Sequence, residues 1–184
     1  LRIIRMEAEL SAAHEMQMAI MPHEGPQVPG FDISGICIPA NQVGGDFFDY
    51  AWGGSEKKQI GIMIGDVSGK AMRAAMTAVM ANGIVHAEAA EGKSPAEAVT
   101  RSNEILYPKI ERHTFIALCL VALELESRVM RFTNAGLNEP LLHSGGAWQA
   151  LSANGSPYPI GVRPGYLYME QTVQLHPGDL LVLQ

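Results

Sequence analysis

Residues 44–70 of the chain read GGDFFDYAWGGSEKKQIGIMIGDVSGK, and this stretch decides the fold. Residues 46–52 and 59–65 have the composition of strands. The sequence between them begins Gly53-Gly54-Ser55, so the two segments are predicted to form an antiparallel hairpin. Asp46 begins the first strand and Asp66 follows the second. The hairpin would therefore bring both carboxylates to one end.

The aspartates of this hairpin are notable because aspartate is scarce in the chain. Gly44 and Gly45 precede Asp46, and Asp66 is followed by Val67-Ser68-Gly69. Glycines before a carboxylate permit a tight turn and the close approach of an ion or a phosphate. Two converging carboxylates are the oxygen ligands that Mg²⁺ or Mn²⁺ requires. The residues alone equally allow the alternative that both aspartates cap turns.

The segments outside the hairpin indicate the fold class. Helices are predicted over 71–90 and from Ser94, as the N-cap of a capping box, to about 110. Strands are predicted before and after this helix pair: 31–38, 114–124, 128–134, 139–143, 147–151, 166–175 and 179–184. Hairpin-linked strands around two consecutive helices favour an α+β fold with antiparallel sheets over a doubly wound fold.

Composition excludes several classes of protein. The chain has 184 residues, of which 47% are hydrophobic and 17% charged, which suits one globular domain with a short extension. A net charge of −6 without a basic stripe argues against nucleic-acid binding. The longest apolar run, Phe115 to Leu123, is too short for a membrane span. Cys37 and Cys119 are expected to be reduced core thiols, without the ligand spacing of a zinc site.

The first 22 residues form a separate feature. Residues 2–21 are predicted to be a helix that Pro22 ends, with the three- and four-residue spacing of a coiled-coil seam. The seam consists of Ile3, Met6, Leu10, Ala13, Gln17 and Ile20. One interpretation is a surface helix that packs this stripe on its own domain. The other is a linker helix over 1–22 that forms a homodimer and joins an upstream sensor domain to the domain of 23–184. Because the chain starts at leucine, we expect it to be part of a longer protein.

Several catalytic motifs are excluded. Gly65 to Ala71 has three residues between its glycines where the nucleotide-binding P-loop needs four, and it lacks the Ser or Thr that would hold Mg²⁺. No Cys-x5-Arg, no DxD and no Gly-x-Ser-x-Gly occurs. The sequence therefore offers no nucleophile for a covalent mechanism.

Two motifs are specific, Pro39 to Asp49 (PANQVGGDFFD) and Ile64 to Lys70 (IGDVSGK), the latter followed by Ala74-Ala75. Further matches follow in order: Met21-Pro22, Asn103-x-x-Leu106, Asn134-Ala135-Gly136, Gly161-Val162 and Pro177 to Leu181. Together they resemble the SpoIIE/RsbU-like branch of the metal-dependent serine/threonine phosphatases, in the protein phosphatase 2C (PPM) superfamily. The resemblance covers nearly the whole chain.

The resemblance implies a four-layer α/β/β/α sandwich of two antiparallel sheets flanked by helix pairs. It implies a site for two Mn²⁺ or Mg²⁺ ions, with Asp66 bridging them and the backbone carbonyl of Val67 binding one. Asp46 would bind the other, directly or through water. Gly44, Gly45, Ser68 and Gly69 would support the loops. It implies hydrolysis of phosphoserine or phosphothreonine by a metal-activated water. The implied substrate is a phosphorylated anti-sigma-factor antagonist-like protein in the cytoplasm of a bacterium, within stress signalling by partner switching.

Four departures from the family pattern are present. Ala71 replaces a glycine, Leu137 replaces the histidine of the family's NAGH, and Ile116-Ala117 stand where a threonine is frequent. The family's later Thr-Asp-Gly, whose aspartate is a metal ligand, is not in the chain, so we expect a C-terminally truncated domain that is itself inactive. These departures support the alternative of a catalytically inactive binding or regulatory module.

Overall fold

Helices and strands follow one another largely in the predicted order. The computed structural model describes residues 2–39, 43–69 and 71–184, with the backbone alone for 2–7 and 71. The elements are α1 (Arg2–Ala19), β1 (Asp46–Gly53), β2 (Gln59–Val67), α2 (Ala71–Ala90), α3 (Pro95–Leu106), β3 (Ile116–Glu124), β4 (Val129–Ala135), β5 (Leu141–Ser144), β6 (Ala147–Ala150), β7 (Gln171–Gln174) and β8 (Leu180–Val182).

The strands form two antiparallel sheets. The larger sheet has the order β1-β2-β3-β4-β7 and the smaller has the order β6-β5-β8. The central strand β3 is buried along almost its whole length, which agrees with its unbroken apolar sequence. Strands β1 and β2 pair from Asp46 opposite Asp66 to Gly53 opposite Gln59. The predicted hairpin is thus confirmed, with the two aspartates at its open end.

Two hydrophobic cores lie on the opposite faces of the larger sheet. On one face, Phe47, Met63 and Leu118 pack against α2 and α3. On the other, Ile60, Val121 and Phe132 pack with the smaller sheet through Leu142. The predicted α+β fold with two antiparallel sheets and helices is confirmed. The described residues form three of the four expected layers, since they include no helix pair outside the smaller sheet.

Three predictions about individual elements are wrong. Of the strand predicted over 166–175, only Gln171–Gln174 is a strand. Residues 31–38 are not a strand, and Phe31 forms only an isolated bridge with Val28. Ile36 and Ile38, at 80% and 78% exposure, pack against no sheet. A strand also needs ladder hydrogen bonds to a neighbouring strand, and apart from the bridge at Phe31 this segment pairs with none of the described strands. Helix α3 ends at Leu106 instead of near 110. Tyr107 still has helical backbone angles, but Pro108 after it has no N–H with which to continue the helical hydrogen bonds.

The N-terminus of α3 has the predicted capping box. The Ser94 hydroxyl accepts the Glu97 N–H at 3.3 Å, and the Glu97 carboxylate accepts the Ser94 N–H at 3.2 Å. Ser94→Ala leaves one of these donors without its partner, so we expect the free energy of unfolding to fall by about 1 kcal/mol. Urea denaturation measures it. Ser11→Ala, on the exposed face of α1, is the control, and equal stability of the two variants would contradict the role of the cap.

Within the described residues, no helix has both the length and the apolar character needed to cross a bilayer.

Candidate metal centre

Asp46 and Asp66 lie side by side at the open end of the β1–β2 hairpin. They are direct partners in the ladder, and such partners have Cβ atoms about 4.5–5.5 Å apart. Their neighbours Phe47 and Val67 point into the core beneath the helices. Because strand side chains alternate, both carboxylates point to the opposite face, and both are exposed there.

The negative charge of Asp46 disfavours the ionised form of Asp66. Partial burial raises the pKa of Asp66 above its ordinary value, and the charge of Asp46 and a hydrogen bond with it raise that pKa further. Two adjacent carboxylates in one site have this effect because the second negative charge is held against the first. A divalent cation between them would remove the repulsion.

This repulsion predicts an unusual effect of Asp66→Asn on stability without metal. The folded protein binds the Asp66 proton more tightly than the unfolded chain does, so its stability falls as pH rises through the raised pKa of Asp66. At pH 7 in EDTA, Asp66→Asn should therefore melt at a higher temperature than the unchanged protein. Below about pH 3, where aspartate is protonated in both the folded and the unfolded state, the difference should vanish.

Thermal denaturation with and without Mn²⁺ completes this test. A ligand that binds only the folded state raises its melting temperature, so Mn²⁺ should stabilise the unchanged protein and leave Asp66→Asn unaffected. Asp32→Asn, which neutralises an exposed aspartate between α1 and β1, serves as the control. Metal-free Asp66→Asn melting below the unchanged protein at pH 7 would contradict the repulsion.

Gly45 brings two backbone segments together beside the aspartates. Its carbonyl accepts the Val67 N–H at 3.1 Å, and a Cβ at this position would lie 2.4 Å from the Val67 carbonyl oxygen. No other amino acid fits here without displacing backbone. On the other side of the turn, both main-chain groups of Gly44 bond to the Gln17 side chain.

Ser68 and Gly69 shape the loop that follows Asp66. The Ser68 N–H donates to the Phe115 carbonyl, and the Ser68 hydroxyl accepts the Phe115 N–H, both at 2.9 Å. These bonds fix the end of β2 to the start of β3. Gly69 has φ = +113°, which favours glycine. The hydrogen bonds of Ser68 and the backbone angle of Gly69 are compatible with the predicted role of these residues in supporting the loop. That role stays a prediction.

Asp46 and Asp66 lie in the wall of a cleft of about 530 Å³. Its wall is largely apolar and includes Ile36, Phe115 and Leu137. None of its described lining residues is lysine, arginine or histidine. Cys37 also lines the cleft, where burial and then the charge of Asp46 raise the pKa of its thiol. A thiolate nucleophile is therefore disfavoured at this position.

Two asparagines order turns through side-chain hydrogen bonds that the sequence did not reveal, and the turn held by Asn134 contributes Leu137 and Asn138 to the wall of the cleft. The Asn134 amide oxygen accepts the Leu137 N–H at 2.9 Å, and its nitrogen donates to the carbonyls of Leu137 and Asn138. Asn103, fully buried, accepts the Gly161 N–H and donates to the Arg163 carbonyl. Asn134 lies two residues before Gly136, and Asn103 bonds Gly161, which is distant in the sequence. The hydrogen-bond partners of Asn103 are therefore known only from the fold.

Some residues of the predicted seam of α1 pack on their own domain, and others are exposed to solvent. Leu10 and Ala13 are half-buried, Gln17 is buried against Gly44, and Ile20 is exposed. At Gln17 the structure follows the interpretation in which the stripe packs on its own domain. The side chains of Ile3 and Met6 lie outside the described ones. So do residues 40–42 and Lys70 of the two specific motifs.

The oxygen donors at the site suit a hard divalent cation. In the described part of the chain, no three His, Cys, Asp or Glu side chains group closely enough to hold an ion. Among the described residues, the two carboxylates and the Val67 carbonyl beside them are the oxygen donors that the hairpin itself offers. Mg²⁺ is commonly held by one or two carboxylates and retains several waters, whereas Zn²⁺ favours histidine and cysteine. The donor set thus fits Mg²⁺ or Mn²⁺.

Comparison with known proteins identifies the family of this chain. A model of the family described as Stage II sporulation protein E (SpoIIE) matches residues 56–184. Phosphoserine phosphatase RsbU of Bacillus subtilis (strain 168) is 25% identical over 180 residues, covering 97% of this chain and 52% of its own. The chain thus spans about half the length of this curated relative.

Two solved structures show the same fold. The SiaA-PP2C domain of Pseudomonas aeruginosa aligns with a TM-score of 0.78 and 22% identity, over 98% of this chain and 72% of that one. The RsbU and RsbW domains of Rv1364c from Mycobacterium tuberculosis align with a TM-score of 0.67 and 21% identity, over 78% and 39%. With the match over 56–184, the conclusion is that this chain belongs to the SpoIIE family and has the fold of a PP2C-type phosphatase domain.

Proposed function

We propose that this chain is the catalytic domain of a metal-dependent protein phosphatase that hydrolyses phosphoserine or phosphothreonine. The observation that carries the proposal is the pairing of Asp46 with Asp66 at the mouth of the cleft, beside the Val67 carbonyl. The RsbU relative bears the name of a phosphoserine phosphatase, which supports the same activity and substrate class.

The charge of the cleft supports a role for cations. A phosphate monoester is a dianion near neutral pH, and the described cleft presents two carboxylates and no basic side chain. A phosphate cannot bind such a surface unless bound cations reverse its charge. Asp46 and Asp66 would hold one or two Mn²⁺ or Mg²⁺ ions, with the Val67 carbonyl as a further ligand. When bound, such ions polarise phosphoryl oxygens and lower the pKa of water.

The chain's own residues favour hydrolysis without a phosphoenzyme. Cys37 is the thiol of the cleft, and its raised pKa keeps it protonated. The net reaction is attack of water on phosphorus, which releases the serine or threonine hydroxyl and inorganic phosphate. Ile36 and Phe115 would exclude bulk water from the site and contact apolar parts of the substrate.

The organisation of the longer protein belongs to the same proposal. We assign 1–22 to a linker and dimerisation helix and 23–184 to the phosphatase domain. An upstream sensor would be attached through α1, and the substrate would be a phosphorylated anti-sigma-factor antagonist-like protein in the bacterial cytoplasm. The pairing of RsbU and RsbW domains in one of the aligned structures supports a partner-switching context. Light scattering that finds only monomers at high concentration would contradict dimerisation.

The test of catalysis is Mn²⁺-dependent release of phosphate from a phosphoserine peptide by the full-length protein. Activity that requires Mn²⁺ and disappears in EDTA supports the phosphatase. A second candidate function, a catalytically inactive binding module, is favoured by the small number of described carboxylates at the site. A folded full-length protein that binds Mn²⁺ weakly and releases no phosphate would establish that second function.

A further inference from the structure

One side chain of α1 reaches the turn that carries Asp46. The Gln17 Nε2 donates to the Gly44 carbonyl at 2.6 Å, and the Gly44 N–H donates to Gln17 Oε1 at 3.2 Å. A single amide therefore bonds both main-chain groups of a glycine 27 residues further along the chain. Gln17 is only 5% exposed, so these bonds are shielded from water, and leaving their groups unpaired would be costly.

The helix end that presents Gln17 is anchored to the domain. Met21 is buried in the core beneath α2 and α3, and Met18 packs against the same core. Met16, by contrast, is 73% exposed. The Gln17 amide thus projects from the last turns of α1, and the packing of Met18 and Met21 in the core fixes the position of this helix end.

The Gly44-Gly45 turn is held from two sides. Gln17 bonds Gly44 on one side, and the Val67 N–H bonds the Gly45 carbonyl on the other. Two consecutive glycines have more backbone freedom than any other dipeptide, so their conformation depends on such external bonds. Asp46 is the next residue, and the direction of its side chain follows from the backbone of this turn.

We infer that Gln17 is a positioning residue for the metal site, which fixes the Gly44-Gly45 turn and thereby aims the Asp46 carboxylate at the position opposite Asp66. The inference rests on the proposed function for the identity of the ion. Removing a group that hydrogen-bonds to a metal ligand and orients it commonly weakens metal binding by about 10–100-fold.

Gln17→Met tests this role, because methionine has a similar length and shape but makes neither hydrogen bond. Met16→Ala, one residue away on the exposed face of α1, is the matched control. In the full-length protein, two quantities are measured: hydrogen–deuterium exchange of peptides spanning 43–47 without metal, and the Mn²⁺ dissociation constant by calorimetry. Circular dichroism confirms that each variant is folded.

We expect Gln17→Met to exchange faster over 43–47 and to bind Mn²⁺ about tenfold more weakly, while Met16→Ala matches the unchanged protein. Unaltered exchange and affinity in Gln17→Met would overturn the inference and leave the proposed function intact. An equal loss in Met16→Ala would overturn it as well. If the unchanged protein binds no Mn²⁺, the proposed function fails. The exchange data alone then decide whether Gln17 positions the turn.

Discussion

Asp66→Asn in the full-length protein should lower the rate of phosphate release from a phosphoserine peptide by about 10³-fold or more. Asparagine has nearly the same shape as aspartate but no charge, so it preserves the hairpin and removes half of the carboxylate charge at the site. Cation-based stabilisation of a transition state contributes several kcal/mol, and each 1.36 kcal/mol corresponds to about a tenfold change in rate.

The design of this measurement separates chemistry from folding. Initial rates are measured over a range of Mn²⁺ concentrations, because a lost ligand first appears as a higher requirement for metal. Asp32→Asn makes the same chemical change at an exposed position between α1 and β1 and should retain full activity. A rate for Asp66→Asn above about a tenth of the unchanged rate, with the same Mn²⁺ dependence, would show that Asp66 does not bind the essential metal.

Gly45→Ala has the second-largest expected effect, a loss of about 10²-fold in kcat/KM. The new Cβ would lie 2.4 Å from the Val67 carbonyl oxygen and 3.1 Å from the Val67 nitrogen. These are backbone atoms, which cannot rotate aside as a side chain does. Either the turn or the end of β2 must therefore move. A displacement of about 1 Å at a reacting centre commonly costs about 10²-fold in rate.

The same substitution should also reduce stability, since overpacking costs about 1–3 kcal/mol. Gly83→Ala is the control, because it adds the same methyl group in α2, where the nearest described atoms leave open space. That variant should keep its activity. Measured together, urea denaturation and kcat/KM at saturating Mn²⁺ separate the two effects. A Gly45→Ala protein with unchanged kcat/KM would contradict the close contact with Val67.

The local features of the site could be predicted because they depend on neighbouring residues. Gly53-Gly54-Ser55 between two apolar segments determines the hairpin, and the hairpin determines that Asp46 lies opposite Asp66. The capping box at Ser94 and the consecutive helices were predicted for the same reason. The strand over 31–38 was predicted on equally local evidence, and this prediction was wrong because a strand also needs a partner from elsewhere in the chain.

The amino-acid sequence by itself determined the α+β class, the hairpin and the identity of the two carboxylates, because periodicity and turn chemistry act over a few residues. Only the tertiary structure decided what surrounds them. In the folded chain, Gln17 bonds Gly44 although the sequence placed it in the seam, and Ser68 bonds Phe115. Asn134 stabilises a turn at the cleft. These contacts join segments brought together by packing, and their hydrogen-bond partners are set by geometry that no local pattern encodes.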